Sequence, residues 1–352
     1  MPAGTPDVSV VVRSMARPSL DAALASIAVQ RDVTAEVLVV AACGDAHPPV
    51  PATCGPHALR LVSAGRPLQR ASAANAGLGT ARGTWITFLD DDDVFLDDHL
   101  AGLLAAARSA PQVRVITSYA KGVFRDGHVE WFGQPFSLMQ LYERNFIHLS
   151  STLFARALVE AGCRFDESFA ILEDWEFMLQ LAQKAAFHFV PLGSFQWNAD
   201  AGDSGAAGGA NHDAARFAEH RDRVYAKWSA AYEALAARTA PLLAAAARLA
   251  QVGQLAEADA KVRDVLAISA NDPWALNLHA MIMRSAGRLD DARRLQALAV
   301  AVRPQDGGFH YNLALLDRAA GDPEAARRHV RKALSLDPAF APARDLAREL
   351  SA

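Results

Sequence analysis

The 352-residue sequence predicts an α/β domain with a mostly parallel mixed sheet, followed by an all-α domain of helical repeats. Short β-like runs alternate with helical ones through the first half, the grammar of strands joined by crossover helices. The strands VSVVV and EVLVV are apolar throughout, as strands covered on both faces must be. From about Ala240 the pattern changes to Ala- and Leu-rich helices in which Gly253, Gly287 and Gly321 recur every 34 residues. The N-terminal domain is therefore expected over residues 1–238 and the repeats over 239–352. At 51% hydrophobic and 21% charged, the chain has enough apolar surface for both cores.

Taken in order, Val8 to Val12 reads as the first strand, Leu20 to Gln30 as a helix, and Val37 to Val40 and Leu59 to Val62 as strands. A helical stretch then runs to Arg82, and Thr84 to Leu89 forms the next strand. Gly83 stands where a helix stop is needed. The spacing Leu100, Leu103, Leu104, Ala107 marks a helix that Asp97 or Asp98 can cap. Glu173 and Asp174 open a helical stretch with Trp175, Phe177, Met178 and Leu181 on its apolar side, which places two acids at the positive end of a helix dipole. Residues 199–213, ADAGDSGAAGGANHD, lack apolar periodicity and read as a flexible loop, favoured as an active-site lid over a spacer. The helical stretch Asp213 to Ala236 follows it.

In the repeats an alanine comes five residues after each glycine, at Ala258, Ala292 and Ala326, and helices close toward Pro304 and Pro338. Small residues at fixed offsets let paired helices approach, and the pattern resembles the tetratricopeptide repeat. The first copy is degenerate: Pro273 falls three places late, and Val265 stands where later copies have Ala299 and Ala333. Pro338 to Leu350 is expected to be a terminal capping helix.

Composition excludes several classes of function. A net charge of −4 offers no basic field for nucleic acid, and no run of 18 apolar residues is present to form a transmembrane segment. The start MPAGTPD lacks the charged and apolar regions of a signal peptide. Cys43, Cys54 and Cys163 form an odd set without metal-ligand spacing, which fits a reducing compartment. The expected location is cytoplasmic, including the periphery of the membrane's inner face.

The run FLDDDD, Phe88 to Asp93, ends an apolar strand in four consecutive carboxylates. Two unit charges a few ångströms apart repel by roughly 3 to 4 kcal/mol at an effective dielectric near 20, so the run favours a bound divalent cation. In an extended chain Asp90 and Asp92 point to one side and Asp91 and Asp93 to the other, so one of these pairs is expected to share the ion. A hard cation held by one or two carboxylates, with phosphate oxygens completing its shell, is the usual arrangement for Mg²⁺ or Mn²⁺.

Four ordered segments carry a resemblance to glycosyltransferase family 2, of the GT-A fold, over roughly residues 7–225. VSVVVRSMARPSLDAALASI is similar to that family's first strand, loop and helix. ANAGLGTARGTWITFLDDDD is similar to its asparagine-glycine helix and metal-binding strand, and RFDESF and EDWEFMLQLA to its acceptor-side loop and catalytic helix. The resemblance implies a Rossmann-like sheet and a metal-dependent, inverting transfer of a sugar from a nucleotide-sugar donor, a UDP-sugar above all, to an acceptor hydroxyl on a glycan or protein. It makes Asp90 and Asp92 the Asp-x-Asp motif that holds Mn²⁺ or Mg²⁺, with Asp92 the more direct ligand and Asp90 nearer the ribose. Asp174 becomes the general base, with Glu173 as second choice.

On the donor side the resemblance adds Asp91, Asp93, Asn75, Arg70, Arg13, Ser14 and Arg17, since arginine forks suit phosphate oxygens. On the acceptor side it adds Trp175, Asn145 and His148. One departure stands out: where the family carries an acid that reads the nucleobase after the second strand, this chain has Ala41, Ala42, Cys43 and Gly44, leaving Asp45 as the nearest acid. The repeats are expected to dock a protein partner or a protein acceptor. The rival expectation is an inactive transferase-like scaffold whose repeats are the working part.

Overall fold

The structure is a computed structural model, and it describes residues 4–199 and 213–350. Of the stretch 199–213 read as a lid, all but its two end residues lie outside the described residues. The chain divides into two compact units, Met1–Gln134 with Asn145–Lys227, and Pro135–Arg144 with Trp228–Ala352.

The first unit is built on a ten-stranded sheet among the described residues. Its strands are β1 (Val8–Ser14), β2 (Ala35–Ala41), β3 (Thr53–Cys54), β4 (His57–Val62), β5 (Trp85–Asp90), β6 (Val94–Phe95), β7 (Val115–Val123), β8 (Val129–Phe132), β9 (Thr152–Ala155) and β10 (Phe187–Asn198). Their order is β3-β4-β2-β1-β5-β9-β7-β10-β6, with β8 beside β7. The pairings β4·β2, β2·β1, β1·β5 and β7·β10 are parallel and long, whereas the antiparallel ones span two to four residues. The mostly parallel mixed sheet predicted from the sequence is therefore present.

Every residue of β1 and β2 is buried, the reason both strands lack polar alternation. Helix α1 (Leu20–Ala28) buries Leu20, Ala23 and Ile27, and α2 (Arg70–Thr80) packs so closely that a Cβ on Gly77 would lie 2.3 Å from Val11 Cγ1. Gly83 is not the helix stop expected of it. The helix ends at Thr80, and Gly83 is needed because a Cβ there would lie 2.4 Å from the Ser9 amide nitrogen. Asp98 does occupy the N-cap of α3 (His99–Ser109), but its side chain makes no capping hydrogen bond.

After the short helices α4 (Leu138–Glu143) and α5 (Arg156–Glu160), α6 (Glu173–Ala182) buries Trp175, Phe177, Met178, Leu179 and Leu181, the apolar side foreseen. Phe177 stacks on Phe165 with centroids 4.1 Å apart. The next helix, α7 (Ala214–Gln251), is longer than the stretch expected and carries Pro241 within it. Its early turns belong to the first unit, where Val224 is buried, Arg223 lies over Phe169 and Lys227 meets Asp166 at 2.6 Å.

The second unit repeats with the sequence period. Helices α8 (Leu255–Ile268), α10 (Leu289–Val302) and α12 (Pro323–Leu336) start 34 residues apart, and so do α9 (Pro273–Ser285), α11 (Gly307–Ala319) and α13 (Ala341–Glu349). Gly253, Gly287 and Gly321 have φ of +79°, +76° and +78°, the left-handed conformation that ends one helix before the next begins. Ala258, Ala292 and Ala326 have no exposed surface, so the helices meet at them. Pro273 falls out of phase because it is the first residue of α9 rather than a stop after α8, with Asp272 accepting from the Trp274 and Ala275 amides.

Candidate active site

The four carboxylates do not sort by strand alternation. Strand β5 ends at Asp90 and the chain turns, with the Asp93 amide donating to the Asp90 carbonyl at 3.2 Å. The turn brings Asp93 to the same side as Asp90 and Asp92, so that one carboxylate oxygen of each lies within 4.8 Å of the others. Asp91 is turned away and buried; it accepts from Ser14 Oγ at 3.1 Å, the Met15 amide at 2.7 Å and Arg17 Nη1 at 2.7 Å. Asp91, Ser14 and Arg17 thus fix the loop after β1 against the acidic turn. Arg17 also reaches Asp92 at 3.5 Å.

Arg13 enters from the end of β1, where register places it beside Asp90. Nε donates to Asp90 Oδ1 at 2.8 Å and Nη2 to Asp90 Oδ2 at 2.9 Å, while Nη1 donates to Glu173 Oε1 at 3.0 Å. Arg70, the first residue of α2, donates through Nε to the same Glu173 oxygen at 3.0 Å and approaches Asp90 at 3.6 Å. Two arginines and two acids therefore join β1, β5, α2 and α6 at the carboxyl ends of the parallel strands, where ligands bind in such sheets.

This arrangement divides the carboxylates electrostatically. Burial alone would raise Asp90, but Arg13 and Arg70 hold it at about 2. Asp92 is pushed up by burial and by Asp90, and Asp93 is pushed well above the usual carboxylate range by burial, Asp90 and Asp92, against the hydrogen bond it accepts from the Asn198 amide at 3.0 Å. Since Asp90 already spends both oxygens on Arg13, Asp92 and Asp93 are the carboxylates with ligand capacity to spare. An all-oxygen set whose members resist ionising together fits a hard divalent cation.

Helix α6 starts abruptly. Leu172 at its N-cap has φ +60°, a left-handed conformation for a branched residue, and Glu173 and Asp174 follow in the first turn. Asp174 Oδ2 is 3.5 Å from Asn145 Nδ2, and its Oδ1 accepts from the Trp175 amide at 2.8 Å. Burial, with Glu173 adding to it, raises the Asp174 carboxyl to about 6. That value suits proton transfer near neutrality.

Other residues singled out in the sequence occupy supporting positions. Asn75 binds both backbone groups of Phe165 at 2.9 Å and Glu167 Oε1 at 3.0 Å, tying α2 to the loop before α6. Trp175 is buried, edge-on to Tyr225 at 5.6 Å. His148 lies against Phe195 and Trp197, accepts from the Ser150 amide at 3.3 Å, and is held by burial at about 4. Asp45, the nearest acid after β2, is exposed and accepts from Ser63 Oγ at 3.3 Å. Sequence inspection missed Glu167, which accepts from Ser72 Oγ at 2.7 Å as well as from Asn75, and the Asn198 amide. Their partners lie 92 to 105 residues away in the chain, and no spacing announces such contacts.

The chain is similar over 187 residues, at 29% identity, to the succinoglycan biosynthesis protein ExoO of Rhizobium meliloti (strain 1021), covering 48% of this chain. The chain spans about half the length of that curated relative, 54%. Among solved structures it is similar to S. aureus TarS 1-349 in complex with UDP-GlcNAc, at 14% identity and a TM-score of 0.48, over 95% of this chain and 93% of the other. It is also similar to the Sgt2 TPR domain from Aspergillus fumigatus, at 16% identity and a TM-score of 0.31, over 32% of this chain and 76% of the other. Residues 9–163, from β1 past the acidic turn to just beyond α5, match the family model described as glycosyl transferase family 2.

Proposed function

We propose that the chain is a metal-dependent, inverting glycosyltransferase that moves a sugar from a nucleotide-diphosphate donor, a UDP-sugar, to an acceptor hydroxyl. The observation that supports it most is the convergence of Asp90, Asp92 and Asp93 at the end of β5, with Asp90 joined through Arg13 to Glu173, the neighbour of Asp174. Asp92 and Asp93 would hold Mn²⁺ or Mg²⁺, with Asp90 beside them. When bound, the cation neutralises charge that develops on the diphosphate leaving group.

Asp174 takes the acceptor hydroxyl proton onto its carboxylate as that oxygen attacks the anomeric carbon. Its raised pKa keeps it basic enough for this step, and Asn145 lies at its Oδ2. Glu173 receives both Arg13 and Arg70 on one oxygen, which suits a positioning residue better than a second base. Arg70, 43% exposed, retains surface for a donor phosphate, and Arg17 does so from the loop after β1. The second unit, with its 34-residue period, is proposed to be a tetratricopeptide-like array that docks a protein partner or protein acceptor, the division of labour falling near residue 238.

The missing acid after β2 favours one alternative, a scaffold that has lost its donor: Ala41 and Ala42 are buried where a base-reading side chain is expected. Incubation with Mn²⁺ and UDP-, GDP-, dTDP- and CMP-sugars, followed by thermal shift and slow donor hydrolysis, separates the two. A transferase is stabilised by one donor and hydrolyses it; a scaffold responds to none.

A further inference from the structure

The 34-residue period exposes a substitution that the helical packing does not require. Leu276 on α9 and Leu295 on α10 belong to one apolar cluster with Ala299, Val302 and Phe309. The residues one period later are His310 on α11 and His329 on α12, so an apolar contact is replaced by two imidazoles. The rings lie at an interplanar angle of 26° with Nδ1 facing Nδ1 at 3.1 Å.

Each outer nitrogen has an oxygen beside it, one at hydrogen-bond distance and one farther off. His310 Nε2 is 3.1 Å from the Pro304 carbonyl oxygen, which fixes that nitrogen as the donor and leaves the Nδ1 lone pair pointing at His329. His329 Nε2 faces Asp317 Oδ2 at 3.9 Å, and Asp317 is buried and held in place by Arg293 at 2.9 and 3.0 Å. A carbonyl and a carboxylate behind two converging imidazoles is the outer shell that orients metal-binding histidines. A tetrahedral ion about 2.0–2.1 Å from each nitrogen would space the two nitrogens about 3.4 Å apart, within a small adjustment of the distance found. His310 is almost fully buried and His329 is 26% exposed, which leaves one side of the pair open to solvent.

We propose that His310 and His329 form a two-imidazole site for a divalent transition-metal ion of the zinc class, clamping α11 to α12, with water on the open positions. Binding moves the proton that His329 otherwise holds on Nδ1 to its Nε2, toward Asp317, so that both Nδ1 lone pairs face the ion and no net proton is released. Burial lowers the pKa of both rings, against Asp317 and Asp306, and Lys332 and Arg328 act in the same direction as burial. A carboxylate site would prefer hard cations, so the ligand chemistry separates this site from the acidic turn of the first unit.

The test uses the full-length protein, freed of metal by chelation and then titrated with Zn²⁺ by calorimetry, with Cu²⁺ electron paramagnetic resonance to identify the ligand atoms. The wild type should bind one more equivalent of Zn²⁺ than the His310→Leu/His329→Leu variant, which restores the residues of the preceding repeat. Its Cu²⁺ spectrum should show nitrogen coupling that the variant lacks. His329→Gln, which keeps a polar neighbour for His310, should bind more than about tenfold more weakly, since even outer-shell partners are worth about 10- to 100-fold. Equal stoichiometry in wild type and double variant, unchanged affinity in His329→Gln, or a copper spectrum without nitrogen coupling would overturn the proposal.

Discussion

Arg13 holds Asp90 with two parallel hydrogen bonds, at 2.8 and 2.9 Å, and spends its remaining arm on Glu173 at 3.0 Å. One side chain from the first strand therefore sets both the acid that ends the fifth strand and the first residue of the helix bearing Asp174. All three groups are largely buried, which makes the bridge sensitive to loss of any member.

Replacing Arg13 by Met leaves Asp90 and Glu173 with Arg70 alone. Removing one partner of a buried pair costs about 3–5 kcal/mol, and Arg70 offsets part of it, so a loss of about 3 kcal/mol is expected in urea unfolding. Transfer should fall as well, because α6 loses an anchor beside Asp174. Unchanged unfolding would show that Arg13 is dispensable.

The acids make opposite contributions to stability as pH changes. Asp90, held at about 2 against an ordinary value of 3.8, stabilises the fold above pH 4, and that contribution, about 2 kcal/mol, is lost as pH falls from about 4 to 2. Asp92 and Asp93 are raised, so in the folded state they bind protons more readily than in the unfolded chain, and without metal their ionisation costs stability as pH rises. Asp93→Asn should accordingly unfold at higher temperature than wild type in chelator at pH 7, and should gain less from added Mn²⁺. A variant less stable than wild type in chelator would contradict this.

Asp174→Asn should leave donor-induced thermal stabilisation intact while transfer falls about 10²–10⁴-fold, the range attributed to a positioned general base. In the wild type, activity should rise with pH through about 6 as the Asp174 carboxyl loses its proton. A pH profile flat across that region would remove Asp174 from the role.

Two glycines should respond to alanine for different reasons. Gly83→Ala drives a Cβ to 2.4 Å from the Ser9 backbone nitrogen and should cost about 3 kcal/mol, as overpacking against a fixed strand does. Gly253→Ala meets no atom within 4 Å but holds φ +79°, so only the left-handed penalty of about 1–2 kcal/mol applies. Paired denaturation curves distinguish clash from backbone strain.

Much of the molecule was written in local pattern. Uninterrupted apolar runs mark β1 and β2 because both faces of those strands are covered, and the glycine period marks the helical repeats because each glycine must adopt a left-handed turn at the same offset. The acidic run, too, was visible as a charge cluster. These features depend on neighbours along the chain, and periodicity encodes them directly.

What the sequence by itself determined was therefore the class of each unit, the end of the sheet at which the acidic run lies, and the residue types of that run. Only tertiary structure decided their partners: the turn after Asp90 that brings Asp93 beside Asp92 and turns Asp91 toward Ser14, the use of Arg13 as a bridge between acids, the burial of Trp175, and the meeting of His310 with His329. Those outcomes depend on which side chains from distant segments compete for the same charges and the same space. Arg13 and Glu173 stand 160 residues apart, and no local pattern reports which acid a buried guanidinium will choose.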